Sequence, residues 1–135
     1  MPADEFIYKI LLVDDDPDFV SATKTVLESR HGYKVLTASD GVFGLAIAKA
    51  ERPDLIILDV LMPFEDGFDT SRELKADPDL SQIPIVMLTS FSQRKGETDV
   101  SVAKGMELEA EDYVEKPVEP QELLRRVDKL LKEGR

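Results

Sequence analysis

The sequence predicts an α/β fold, a doubly wound parallel sheet in which five strands alternate with five helices. Two observations carry that expectation. Short apolar runs recur between longer segments whose apolar residues fall three or four apart, the alternation expected of successive βαβ units. One of these runs, Leu55-Ile56-Ile57-Leu58, is apolar at every position, as a central parallel strand covered on both faces must be. Right-handed crossovers then place helices on both faces of the sheet.

The elements follow in order. Lys9-Ile10-Leu11-Leu12-Val13 reads as the first strand, cut off by Asp14-Asp15-Asp16. Asp16 followed by Pro17 is a helix start, because the carboxylate accepts backbone N–H groups and proline loses nothing at the first helical position. Phe19, Thr23, Val26 and Leu27 share a face of that helix, which Gly32 is expected to end, with His31 beside it in a C-terminal capping role. Tyr33 to Ala38 is the second strand, and Asp40 begins a second helix through Leu45, Ala46 and Ile47 that Pro53 closes off. After the Leu55 to Leu58 strand, Asp66-Gly67 opens a third helix through Phe68 and Leu74, ending near Asp77-Pro78. Pro84 to Leu88 is the fourth strand, stopped by Thr89-Ser90. In the stretch 91–111, Val100, Ala103 and Met106 suggest a short or irregular helix, which Gly96, Gly105 and many charges weaken. Asp112-Tyr113-Val114 is the fifth strand, Lys116-Pro117 a break, and Leu123, Val127, Leu130 and Leu131 the apolar face of the last helix.

A chain of 135 residues is long enough to bury one core, and a single domain over 1–135, with its core at about 8–132 and no output domain, is expected. There is no cysteine, which excludes disulfides and thiolate metal sites. The formal net charge of −11 argues against direct nucleic-acid binding, which needs clustered Lys and Arg. Met1-Pro2-Ala3-Asp4-Glu5 is acidic where a signal peptide would be basic, and no apolar run approaches a membrane span. A soluble, cytoplasmic protein with no membrane insertion is expected.

Ligands of open α/β sheets bind at the carboxyl ends of the strands. Four strand ends supply Asp14 with Asp15, then Asp59, Thr89 and Lys116. Neighbouring carboxylates at about 4–5 Å repel by about 3–4 kcal/mol per pair at an effective dielectric near 20. A hard divalent cation removes that cost, and carboxylates with carbonyl and water oxygens are the set Mg²⁺ accepts. A hydroxyl from Thr89 and an ammonium from Lys116 complete a phosphoryl-binding set, in which a carboxylate of Asp59 is available as nucleophile.

The chain resembles a receiver domain of the two-component response regulators over nearly its whole length. The resemblance rests on Leu12-Val13-Asp14-Asp15-Asp16, on Leu58-Asp59-Val60-Leu61-Met62-Pro63 with Asp66-Gly67, on Leu88-Thr89-Ser90, and on Asp112-Tyr113-Val114-Glu115-Lys116-Pro117. It implies the flavodoxin-like strand order 2-1-3-4-5. It makes Asp59 the phosphoacceptor, served by a histidine kinase or histidine phosphotransfer protein. Mg²⁺ would be bound by Asp15, Asp59 and the backbone carbonyl of Leu61, with Asp14 acting through water. Lys116 would pair with Asp59 at rest and with the phosphoryl group after transfer, its bond to Pro117 being cis. Thr89 would swing onto a phosphoryl oxygen, and Tyr113 would move from an exposed to a buried rotamer. A downstream effector protein would read the change, and a phosphorylation-dependent dimer is a further implication.

Three departures from the family pattern stand out. The segment between Thr89 and Lys116 is several residues longer than usual, Glu109-Ala110-Glu111-Asp112 replaces a common Gly-Ala-Asp-Asp run, and Ser90 replaces alanine. Leu61 and Phe91 flank the site and are expected to hinder water. Two other readings compete. In a haloacid dehalogenase-type phosphatase Asp14 and Asp16 would form an Asp-x-Asp motif with Asp14 as nucleophile, and a pseudo-receiver would keep the fold without phosphotransfer.

Overall fold

The computed structural model describes residues 8–60, 67–89 and 110–133. In chain order these form β1 (Tyr8–Val13), α1 (Pro17–Glu28), β2 (Tyr33–Ala38), α2 (Gly41–Glu51), β3 (Leu55–Asp59), α3 (Gly67–Ala76), β4 (Ile85–Thr89), β5 (Asp112–Glu115) and α4 (Pro120–Glu133). The five strands make one sheet in the order β2-β1-β3-β4-β5, with every neighbouring pair parallel. Four helices lie among the described residues; the helix expected within 91–111 lies outside them, as do the Leu61 carbonyl, Asp66, Ser90 and Phe91.

Period-two alternation along β1 divides the core in two. Ile10 and Leu12 face one way and pack with Leu27 of α1 and Leu123, Val127 and Leu131 of α4. Leu11 and Val13 face the other way and pack with Ala48 of α2 and Leu74 of α3. Both faces of β3 are filled, and its five residues are all buried, as the uninterrupted apolar run requires. On α2, Gly44 lets the helix approach the sheet: a Cβ there would lie 2.8 Å from Val13 Cγ2.

The caps form as the sequence implies. Asp16 accepts the N–H groups of Asp18 and Phe19 at 3.1 and 3.3 Å, and Asp40 accepts that of Phe43 at 2.7 Å. The end of α1 differs from expectation. It stops at Glu28, because Ser29 N–H bonds back to the Val26 carbonyl at 3.2 Å and its hydroxyl donates to the same carbonyl at 2.5 Å. With Arg30 N–H on Leu27 at 3.1 Å, these three-residue bonds tighten and finish the last turn. Gly32, at φ 92°, instead turns the chain into β2. His31 is exposed beyond a helix that Ser29 has already capped, so the capping role expected for it is not observed.

Candidate functional site at the carboxyl edge of the sheet

Strand register brings the expected residues to one edge. Val13 is level with Leu58, so Asp14 and Asp59 leave adjacent strands side by side. Asp59 is level with Leu88, which puts Thr89 one step beyond it on β4, and Thr89 is level with Glu115. Backbone bonds continue past the strands: Asp14 N–H to Ala38 at 3.0 Å, Val60 N–H to Leu88 at 3.1 Å and Lys116 N–H to Thr89 at 2.6 Å. The anchors therefore fix where Asp14, Asp59, Thr89 and Lys116 project. The Lys116-Pro117 peptide bond is cis.

Asp14, Asp15 and Asp59 each offer a carboxylate oxygen, and the three lie within 4.8 Å of one another. Asp14 and Asp59 are buried, whereas Asp15 is exposed. An all-oxygen, anionic donor set open on the Asp15 side fits a hard divalent cation that retains waters. The Asp14 side chain is fully enclosed, yet both its oxygens are used: Oδ1 accepts the Asp16 N–H at 3.0 Å and Oδ2 accepts from Lys116 Nζ at 2.9 Å.

Lys116 bridges the acids. Its ammonium lies 2.9 Å from Asp14 and 3.5 Å from Asp59, and 4.6 Å from the centre of the Phe19 ring. The pairing with Asp59 that the resemblance implied is present at 3.5 Å, and Lys116 lies closer still to Asp14. Both carboxylates are almost wholly shielded from water, which strengthens the attraction of each for the ammonium. Burial pushes the Lys116 ammonium toward losing its proton, but the Asp14 hydrogen bond and the charges of Asp59 and Asp14 outweigh it, so its pKa is raised.

Thr89 and Tyr113 also sit by this edge. The Thr89 hydroxyl is buried and finds no hydrogen-bond partner among the described residues. A buried polar group left so is rare, and this one stands one step beyond the level of Asp59 on the neighbouring strand. Tyr113 is half-buried against the core cluster on the α2 and α3 side, with its hydroxyl out of contact with solvent.

Sequence reasoning missed two arrangements. Phe19 appeared only as a core residue of α1, whereas the centre of its ring lies 4.6 Å from the Lys116 ammonium. Glu111, noted only as a departure from pattern, accepts the Ile85 N–H at 2.7 Å and pairs with Lys75 at 2.8 Å, tying α3, β4 and the entry to β5 together.

Comparison with known proteins agrees with this architecture. The profile of the response regulator receiver domain matches residues 10–128. Protein PilH of Pseudomonas aeruginosa is 37% identical over 91% of this chain and 97% of its own length. The alkaline phosphatase synthesis transcriptional regulatory protein PhoP of Bacillus subtilis is 40% identical over 92% of this chain. The chain spans 48% of PhoP's length, and about half the length of several other transcriptional regulators it matches. Among solved structures, the signal receiver domain of a signal transduction histidine kinase from Syntrophus aciditrophicus superposes with a TM-score of 0.80 at 35% identity. That match covers 94% of this chain and 92% of the other. By sequence profile, relatives and fold, this chain belongs to the response regulator receiver domain family of two-component signal transduction.

Proposed function

We propose that this receiver domain is a phosphoacceptor that takes a phosphoryl group on Asp59 from a phosphohistidine of a histidine kinase or histidine phosphotransfer protein. The observation that carries this reading is the division of roles among three neighbouring carboxylates. Asp14 spends both oxygens on the Asp16 N–H and Lys116, Asp15 faces solvent, and Asp59 ends β3 beside Thr89, its contact with the lysine being the longer of the two at 3.5 Å. In the transfer an Asp59 carboxylate oxygen forms a bond to phosphorus while the phosphorus–nitrogen bond of the donor breaks. The electron pair of that bond stays on the imidazole nitrogen.

Each remaining residue has a task. Lys116 shifts from its 3.5 Å contact with Asp59 onto a phosphoryl oxygen, keeping one hydrogen bond on Asp14. Thr89, whose buried hydroxyl has no partner among the described residues, donates to a second phosphoryl oxygen. Asp15 and Asp59, with the Leu61 carbonyl and with Asp14 acting through water, would hold Mg²⁺, which supplies positive charge for the oxygens in transfer. Drawing Thr89 inward changes the packing space beside Tyr113 on β5, and the two side chains together bias a pre-existing equilibrium between two surfaces. An effector protein, or a second copy of the chain, reads that surface. The reading takes the domain as a single unit working in the cytoplasm; no helix among the described residues is long and apolar enough to cross a membrane.

Incubation with Mg²⁺ and a small acyl phosphate tests the proposal. One phosphoryl group per chain is expected, and Asp59→Asn abolishes it. Labelling that survives the substitution overturns the assignment.

A further inference from the structure

The Lys116 ammonium has three N–H groups, and the carboxylates Asp14 and Asp59 account for two directions around it. A third side faces the ring of Phe19, whose centre lies 4.6 Å from Nζ. This is within the distance at which an ammonium is attracted to the negative face of an aromatic ring. Phe19 does not wander. It sits in the first turn of α1, its backbone N–H held by the Asp16 cap at 3.3 Å, and its side chain packs against the core cluster shared by α1 and α4.

Asp14 keeps one hydrogen bond on Lys116, and the ring adds a second, less directional hold. On transfer Lys116 must leave Asp59 for a phosphoryl oxygen without leaving the site. A hydrogen bond fixes direction, whereas attraction to a ring face holds the charge in place and lets the N–H groups turn. Lys116 is also about one-fifth exposed, so a neighbour that displaces water on one side restricts where its head can go.

We propose that Phe19 is a positioning residue for phosphoryl transfer, its ring face holding the Lys116 ammonium at the site while the ammonium exchanges Asp59 for a phosphoryl oxygen. The inference rests on the reading of Asp59 as phosphoacceptor and adds a residue to it. Phe19 touches neither phosphorus nor the transferred oxygens; it acts through Lys116.

The test replaces Phe19 with mono-, di- and trifluorinated phenylalanine, which keep the ring's shape and apolar character while progressively weakening its negative face. Labelling rates are measured with Mg²⁺ and a small acyl phosphate, with Asp59→Asn as control. The rate falls stepwise along the series, by about three- to tenfold at the third fluorine, while the melting temperature stays level. Phe19→Leu falls as far, and Phe19→Tyr recovers the wild-type rate. A second readout needs no phosphodonor: the Lys116 ε-methylene protons, shifted upfield by the ring face in the wild type, return to the position of exposed lysines in Phe19→Leu. Rates flat across the fluorinated series, or an unshifted Lys116 resonance in the wild type, overturn the positioning role. Labelling that persists in Asp59→Asn overturns instead the reading beneath it, so the two failures are distinct.

Discussion

Replacing Lys116 with methionine keeps the length and apolar stem of the side chain and removes the cation from between two buried acids. Asp14 is fully enclosed and Asp59 nearly so, and their contacts with Nζ are 2.9 and 3.5 Å. At an effective dielectric near 20, each contact represents about 5 kcal/mol of gross attraction, most of which offsets the desolvation of three charges. The ammonium is about one-fifth exposed, which screens part of the remainder. Leaving the carboxylates without their cation is expected to cost about 2–4 kcal/mol, toward the lower side of what breaking a buried pair costs. Urea unfolding at pH 7 without divalent cations reads this as a midpoint lower by about 1–2 M, for a slope near 2 kcal/mol/M. The same substitution in an Asp14→Asn background should cost half as much or less, since its closer partner is already neutral. A midpoint shift under about 0.3 M, or an equal shift in both backgrounds, refutes the claim that Lys116 is held chiefly by Asp14.

Millimolar Mg²⁺ should raise the melting temperature by mass action on the folded state, by about 3–5 °C at tenfold excess over the dissociation constant, and the rise should vanish in Asp15→Asn. A flat wild-type response counts against the metal site. Gly44→Ala gains about 1 kcal/mol of helix propensity but drives a Cβ to 2.8 Å from Val13 Cγ2. Overpacking of about 1–3 kcal/mol makes the net change a loss of about 1 kcal/mol, checked by urea unfolding and relieved by Val13→Ala. The Tyr33 hydroxyl lies 2.6 Å from Asp128, and burial, with that acceptor, raises its pKa well above the ordinary 10.0. A raised folded pKa gives stability that is fully present below the unfolded value and is lost as pH rises through the folded one. Wild-type melting temperature should therefore fall as pH climbs past about 10, and Tyr33→Phe should fall less steeply.

The parts of the fold that were legible in the sequence are those that local chemistry decides. Strand Leu55–Asp59 declared itself because only a strand covered on both faces is apolar throughout, and α1 and α2 because Asp16 and Asp40 can satisfy N–H groups that nothing else reaches. Once strand order was set, register alone carried Asp14, Asp59, Thr89 and Lys116 to one edge. What was not legible depends on distances across the fold. The end of α1 escaped because a serine hydroxyl at position 29 competes with Gly32, and composition does not say which acts first. The closer approach of Lys116 to Asp14 depends on contacts between residues 102 positions apart, and Phe19 over Lys116 on one between residues 97 positions apart. Glu111 looked like a loss of pattern until its bonds to Ile85 and Lys75 showed it fastening the base of β4.

The most direct test of the account is to locate the phosphoryl group by chemistry. Phosphorylated protein is treated with borohydride, which reduces an acyl phosphate to the alcohol, and the site is read by peptide mass mapping. The account predicts homoserine at position 59 with Asp14 and Asp15 intact. Homoserine at position 14 or 15, or no reducible acyl phosphate after incubation with Mg²⁺ and the phosphodonor, would contradict it.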